Sequence, residues 1–448
     1  MNRIRASVSL SILLLVAYDA TGQSDKLFDR LERAAALIRD NRIQEAEQQL
    51  NGILQVAPNE ARALTLLGTI KGSQGKLDEA ESLFGQAIRS DGRAIPAHMN
   101  LAFVFVLKRA PEKAISELKE VLRLDPTYAE ARAKLAPLLL AQGDPDQCIN
   151  LIENLNEPAS AQLLVVLGDA YLRKGAANKA EDNYLLALGK QPDAAEALLG
   201  LAQVAQMRGD AATVSRCLLR AKELIRSPDL LYAFSMIALR SDMTDEAHTA
   251  LDEAVALKPN EPAYLLALGN TWLRKSDLFE AERCFRRALE IQPDSPQGQM
   301  YIGYTLLKQK KYPEARDWLE RSVQKETGTP ETYYYLGLIA QEQEQQERAV
   351  EFFEKAIKLS PTFGHPHIAL GATYLKLKNY ERARQELEAG VKLNPDDSKA
   401  HYNLALLYAR MNDPQRASEE MQIVEKLKSS GERAKDGDSS VPPPPRPR

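Results

Sequence analysis

Residues 262–293 read P-A-Y-L-L-A-L-G-N-T-W-L-R-K-S-D-L-F-E-A-E-R-C-F-R-R-A-L-E-I-Q-P. Two small residues, Gly269 and Ala281, lie twelve positions apart. Apolar side chains flank them at helical spacing, Leu268 and Trp272 around the first, Phe285 and Ala288 after the second. Pro293 closes the stretch, because proline cannot continue a helix. The pattern predicts two helices joined by a short turn. Each carries one small residue where the backbones approach most closely.

The same spacing extends in both directions. One series of small residues runs Ala34, Gly68, Ala102, Ala136, Gly168, Ala202, Ser235, Gly269, Gly303, Gly337, Gly371, Ala405. A second runs Ala46, Ala80, Ala114, Cys148, Ala180, Val214, Ala247, Ala281, Ala315, Ala349, Ala383, Ala417. Every member of the first precedes its partner by twelve residues, and the steps within a series are 34, apart from one of 32 and one of 33. Prolines recur after the second helix at 58, 126, 192, 259, 361 and 395. Self-similarity at this period means stacked supersecondary units that bury one another's faces.

The pattern resembles the tetratricopeptide repeat. Leu268, Gly269, Trp272, Ala281, Phe285, Ala288 and Pro293 match its motif, as do Leu336, Gly337, Ala349, Phe353, Ala356 and Pro361. The resemblance covers about residues 27–427 in twelve registers. It implies an all-α fold, an α-solenoid superhelix of about twelve antiparallel helix-turn-helix repeats, within residues 23–428. The fourth and sixth repeats depart from the pattern. Cys148 and Val214 replace the small alanine, and the length changes fall in the linkers near 155–160 and 225–228. Those places are expected to be irregular in twist or to break the array. The last helix, with Glu419, Glu420, Glu425, Lys426 and Lys428, is expected to be a polar cap.

The two ends read differently. Residues 1–22 resemble a secretory signal, with Arg3 and Arg5, an apolar run from Val8 to Tyr18, and a small-x-small site at Ala20-Thr21-Gly22. The run is shorter than the ~20 residues that span a bilayer, so no transmembrane span is expected in the mature chain. The alternative is an uncleaved tether. Residues 429–448 are rich in Ser, Gly, Asp and Pro and finish P-P-P-P-R-P-R, which predicts a disordered Pro/Arg tail.

The 448 residues carry 58 basic and 62 acidic side chains, a net charge of −4, and this balance gives no reason to expect nucleic acid as a partner. No phosphate-binding loop, dinucleotide fingerprint, H-E-x-x-H or G-x-S-x-G occurs. We therefore expect no catalytic group, no cofactor, no metal and no small-molecule substrate. His365 and His367 flank Pro366, a spacing that does not put both on one helical face. Cys217 and Cys284 hold one repeat position two repeats apart, on the order of 20 Å at ordinary helix spacing. A disulfide needs about 7 Å or less between Cα atoms. Both should be free thiols, and Cys148 a small core filler.

In the family, first helices line the concave face, and partner segments usually bind there through positions 2, 5, 9 and 12. In the ninth repeat these are Gln297, Met300, Tyr304 and Leu307; in the tenth Glu331, Tyr334, Leu338 and Gln341; in the twelfth Lys399, Tyr402, Leu406 and Ala409. Tyr301 and Tyr335 stand beside this line. An apolar-aromatic groove formed by Met300, Tyr301, Tyr304, Tyr334, Tyr335 and Tyr402 would hold an extended or helical segment, since Tyr and Met give contact area at low entropy cost. Packing between adjacent repeats is the alternative use of these side chains. A basic column at position 13, including Arg173, Arg240, Arg274, Lys308, Lys376 and Arg410, would suit an acidic partner or serve as solvated surface. The Lys/Asn pattern with which some relatives hold a terminal carboxylate is not reproduced: Asn100, Asn270 and Asn403 stand in separate repeats without the lysines.

These readings combine into an exported, periplasmic or secreted adaptor that binds a protein or peptide partner, including an envelope assembly complex. The alternative is an accessory that contacts polysaccharide or an outer-membrane assembly or secretion complex.

Overall fold

The structure, a computed structural model, describes residues 24–154, 158–324 and 328–431. The expected signal at 1–22 lies outside them. Of the expected tail, residues 429–431 belong to the last helix and 432–448 lie outside the described residues. Among the described residues there are twenty-four helices and no strand. They form two compact units, divided after Asp210. Unit 1 holds five helix pairs, beginning with α1 (Ser24–Arg39), followed by α11 (Ala195–Met207). Unit 2 opens with α12 (Ala211–Leu224), followed by six pairs that end on α24 (Pro414–Gly431).

The turn inside each repeat is the same everywhere. The seventh residue after the first-series small residue has positive φ, between 57° and 82°: Asn41, Gly75, Arg109, Gly143, Gly175, Gly209, Asp242, Ser276, Lys310, Glu344, Lys378, Asn412. This left-handed residue lets the backbone turn back on the helix it has just left. After α17 (Pro296–Lys308), Lys310 N donates to Leu307 O (2.9 Å) and Lys311 N to Leu306 O (2.9 Å), which satisfies two terminal carbonyls. Eight of the twelve are not glycine, so the hydrogen bonds hold a conformation that costs those side chains roughly 1–2 kcal/mol each.

The small residues work differently from the expectation. A first-series glycine faces not the partner alanine but the large side chain four positions beyond it, one turn along the second helix. A Cβ at Gly68 would lie 2.7 Å from the Phe84 ring, and Gly168, Gly269 and Gly337 meet Tyr184, Phe285 and Phe353 in the same way. These four aromatic knobs are at most 1% exposed, and burying one stabilises the fold by about 1.5–3 kcal/mol. The first series is a set of holes sized for its knobs. Every aromatic knob has glycine opposite it, while Ala102 stands opposite Leu118 and Ala136 opposite Ile152.

At the two expected irregularities, α8 (Pro145–Glu153) has only nine residues and is followed by residues outside the description, whereas α12 keeps fourteen. α13 begins at Pro228, so the short step is taken in the linker. The boundary between units falls before α12 rather than after it. All three cysteines are buried and outside any disulfide, and burial raises the thiols of Cys148 and Cys284 to about 11.

Three histidines clip a repeat together. The Nδ1 atoms of His98, His367 and His401 lie 2.6, 2.7 and 2.6 Å from Glu117, Glu386 and Glu420, each nineteen residues ahead. His367 and His401 also reach the carbonyls of Pro361 and Pro395 through Nε2, at 3.2 and 2.9 Å. The carboxylate hydrogen bond raises the pKa of His98 and His367 above the ordinary histidine value.

Candidate partner-binding groove

First helices of four successive repeats in unit 2 line one groove of about 390 Å³. They are α17, α19 (Pro330–Glu342), α21 (Gly364–Lys376) and α23 (Ser398–Arg410). Each begins where a turn residue hands the chain to a helix. Ser295, Thr329 and Asp397 accept backbone N–H bonds as N-caps of α17, α19 and α23. Positions on one helical face then recur in register, so side chains 34 residues apart stand side by side.

The floor is apolar, with Leu307, Leu338, Ile368 and Ala372. Polar groups stand around it: Lys308 and Lys310 at one end, Asp397, Lys399 and Asn403 at the other. Gln341 lines the groove, but its amide Nε2 is engaged by Thr373 Oγ1 (2.7 Å) and Ala369 O (3.2 Å). Tyr334 shows the groove one edge of an aromatic cluster, with centroids 5.5 Å from Phe363 and 6.1 Å from His365. Burial raises the Tyr334 phenol and lowers His365, while Asp397 pulls the imidazole back upward. His365 is therefore neutral near pH 7. Asn394 Nδ2 lies 3.4 Å from its Nδ1. No group of three or more metal-ligating side chains occurs among the described residues.

The expected aromatic wall is mostly core. Tyr301 and Tyr335 have no exposed surface, and Met300 and Tyr304 are buried. Tyr301 stacks on Phe285 at 5.2 Å, Tyr304 packs on Tyr335 at 5.1 Å, and Met300 Sδ accepts from Thr329 Oγ1 at 3.5 Å. The physical reason is position. Tyr301 and Tyr335, the sixth residues of their helices, pack back on the preceding repeat, and Tyr304 at position 9 packs forward on Tyr335, so these rings fill the interfaces between repeats. Tyr334 lines the groove though it is almost buried, and Tyr402 is exposed but does not line it.

The basic column divides in the same way. Lys308 reaches the groove, and Lys376 is exposed outside it. Arg274 lies 3.5 Å from Asp242 of the preceding repeat, and Arg173 donates to Leu140 O. His365, weighed from sequence only as a metal ligand, is not among the expected groove residues, nor are Ile368 and Ala372. They hold positions 2, 5 and 9 of the eleventh repeat, so the spacing already contained them. Asp397 could not be found this way, because it precedes its helix as the cap.

Models of the tetratricopeptide repeat match residues 65–129, 108–159, 232–296, 276–330, 340–401 and 386–418, more than half of the chain. Lipopolysaccharide assembly protein B of Escherichia coli strain K12 is 25% identical over 223 residues, 47% of this chain and 54% of that protein. The chain thus spans about half the length of the curated relatives it matches. Among solved structures, the Cut9–Hcn1 hetero-tetramer of APC/C superposes with a TM-score of 0.50 at 14% identity, over 92% of this chain and 94% of that chain. A tetratricopeptide repeat protein from Parabacteroides merdae gives 0.47 at 20% identity, over 56% and 99%. The first of these is a likeness of fold alone.

Proposed function

This chain belongs to the tetratricopeptide repeat family, and from that premise we propose that it is a protein-interaction scaffold of the cell envelope, holding a partner segment in the groove of its ninth to twelfth repeats. The observation that carries the reading is the groove itself. Four successive first helices give it an apolar floor with charged groups at both ends and the Asn403 amide at one. An extended segment brings that combination of apolar side chains and unpaired backbone groups, and a partly formed, concave site lowers the entropy cost of holding it. The envelope setting is supported by the partial likeness to a lipopolysaccharide assembly protein and by the signal-like sequence of residues 1–22. No helix among the described residues is long and apolar enough to cross a membrane. We assign no catalytic group. The sugar-stacking alternative loses its main support, because the aromatic faces it needs are buried between repeats.

A photo-crosslinking residue placed at position 338 or 372 tests the site in an envelope extract, with position 185 on the outer surface of unit 1 as control. A discrete protein adduct from 338 and 372, absent from 185 and weakened by Lys399→Glu, is the expected result. Identical adducts from all three positions would remove the groove from consideration.

A further inference from the structure

We infer that the outer face of α23 and α24 is a self-association surface through which two copies of this chain pack face to face. Within unit 2, three places on each repeat meet the next one. Position 9 does so in Tyr304 on Tyr335, the knob of the second helix in Phe285 on Tyr301, and position 5 in Tyr334 against His365. These residues are 5%, 0% and 3% exposed. In the last repeat the same places hold Leu406, Met421 and Tyr402, at 39%, 37% and 45% exposure. A solenoid end that faces water needs a polar outer surface. The charged residues of α24 do not supply one here, because these three positions remain apolar and exposed. The expected polar cap is therefore only partial.

Chemistry favours a second copy as the occupant. Residues 432–448 contain a single large aliphatic, Val441, and so offer no row of apolar side chains to set against this face. Head-to-tail continuation by α1 of another copy fails on charge. The sixth position, filled by Tyr301 and Tyr335 inside the array, is Glu32 in α1, flanked by exposed Asp29 and Arg33. Seating Glu32 on Met421 would desolvate a carboxylate without a partner. The same face of a second copy carries no such penalty. It also brings a rim of both signs, with Lys399 and Arg410 on α23 and Glu425 on α24, one turn beyond Met421. A two-fold axis that sets α23 against α24 places Lys399 of one copy opposite Glu425 of the other, as an isologous contact requires.

Two helices about 20 Å long and about 10 Å apart present roughly 400 Å² per copy. The total lies below the roughly 1,200 Å² of standard stable interfaces, so the dimer is reversible, with a dissociation constant in the micromolar range. The inference does not depend on the groove, and its test reads mass rather than partner binding.

Sedimentation velocity of the full chain from about 2 to 200 µM brackets that range. The wild type should rise from monomer towards dimer. Leu406→Glu and Met421→Lys, checked for helicity, should stay monomeric across the series. Mixing Leu406→Glu with Met421→Lys, which this two-fold sets against each other, should restore association that neither shows alone. A wild type that stays monomeric throughout would overturn the inference. So would charge variants that associate as the wild type does, or growth beyond the dimer. If Met421→Lys loses helicity, Leu406→Glu and Tyr402→Glu decide.

Discussion

Gly337 and Phe353 offer a direct test of the hole-and-knob reading. A methyl group at Gly337 would stand 2.6 Å from Phe353 Cδ1 and closer still to Cε1, and the ring is fully buried. On an exposed helix, glycine to alanine would add about 1 kcal/mol of stability through backbone entropy. Here the overlap should cost about 1–3 kcal/mol, so Gly337→Ala should lose about 1 kcal/mol net. Phe353→Leu alone leaves a partial hole and should cost about 1–2 kcal/mol. The double variant recreates a pair that the chain already uses at Ala102 and Leu118. It removes the overlap and keeps the helix gain, so the two changes should couple favourably by about 2 kcal/mol. Tandem repeats need not unfold as one unit. The cycle is therefore best read by native-state hydrogen exchange in α19 and in α20 (Gln346–Leu359), alongside denaturant melts. Additivity of the two substitutions to within about 0.5 kcal/mol would refute the reasoning.

Two further outcomes follow from the charged and buried groups. His98 and His367 are raised by their glutamate partners. Their contribution is therefore fully present below the unfolded histidine value near 6.5 and is lost as pH climbs through the folded one. Burial lowers His248 and His365, which act in the opposite sense, losing stability as pH falls through their folded values. The effect must thus be read by site. His98→Gln copies the residue type of Gln299, which bonds Pro293 O at 2.9 Å. It should destabilise more at pH 5.5 than at pH 8.5 in denaturant melts, and a penalty independent of pH would contradict the clip. The buried thiols, with Cys148 and Cys284 raised to about 11, should react with a thiol reagent at pH 8 orders of magnitude more slowly than in denaturant. Rapid labelling of the native chain would show that α8, α12 or α16 (Leu278–Ile291) opens readily.

The sequence by itself determined the repeat, its register and the helix pairing. Those depend on neighbours three to sixteen residues away, and the periodic Gly, Ala, aromatic and Pro positions record them directly. It also contained the match between hole and knob, since each of the four aromatic knobs has glycine sixteen residues before it, although Gly303 and Gly371 face leucine. Only the tertiary structure decided which tyrosines are available. Tyr301, Tyr304 and Tyr334 look alike in sequence and all three are buried, yet only Tyr334 borders the groove, because the adjacent repeat leaves an opening beside it and closes over the other two. Tyr402, at the same repeat position as Tyr334, stays 45% exposed because none of the described helices follows to cover it. Residue type sets how much a side chain gains by burial, but the neighbour that buries it is supplied by the stacking of repeats.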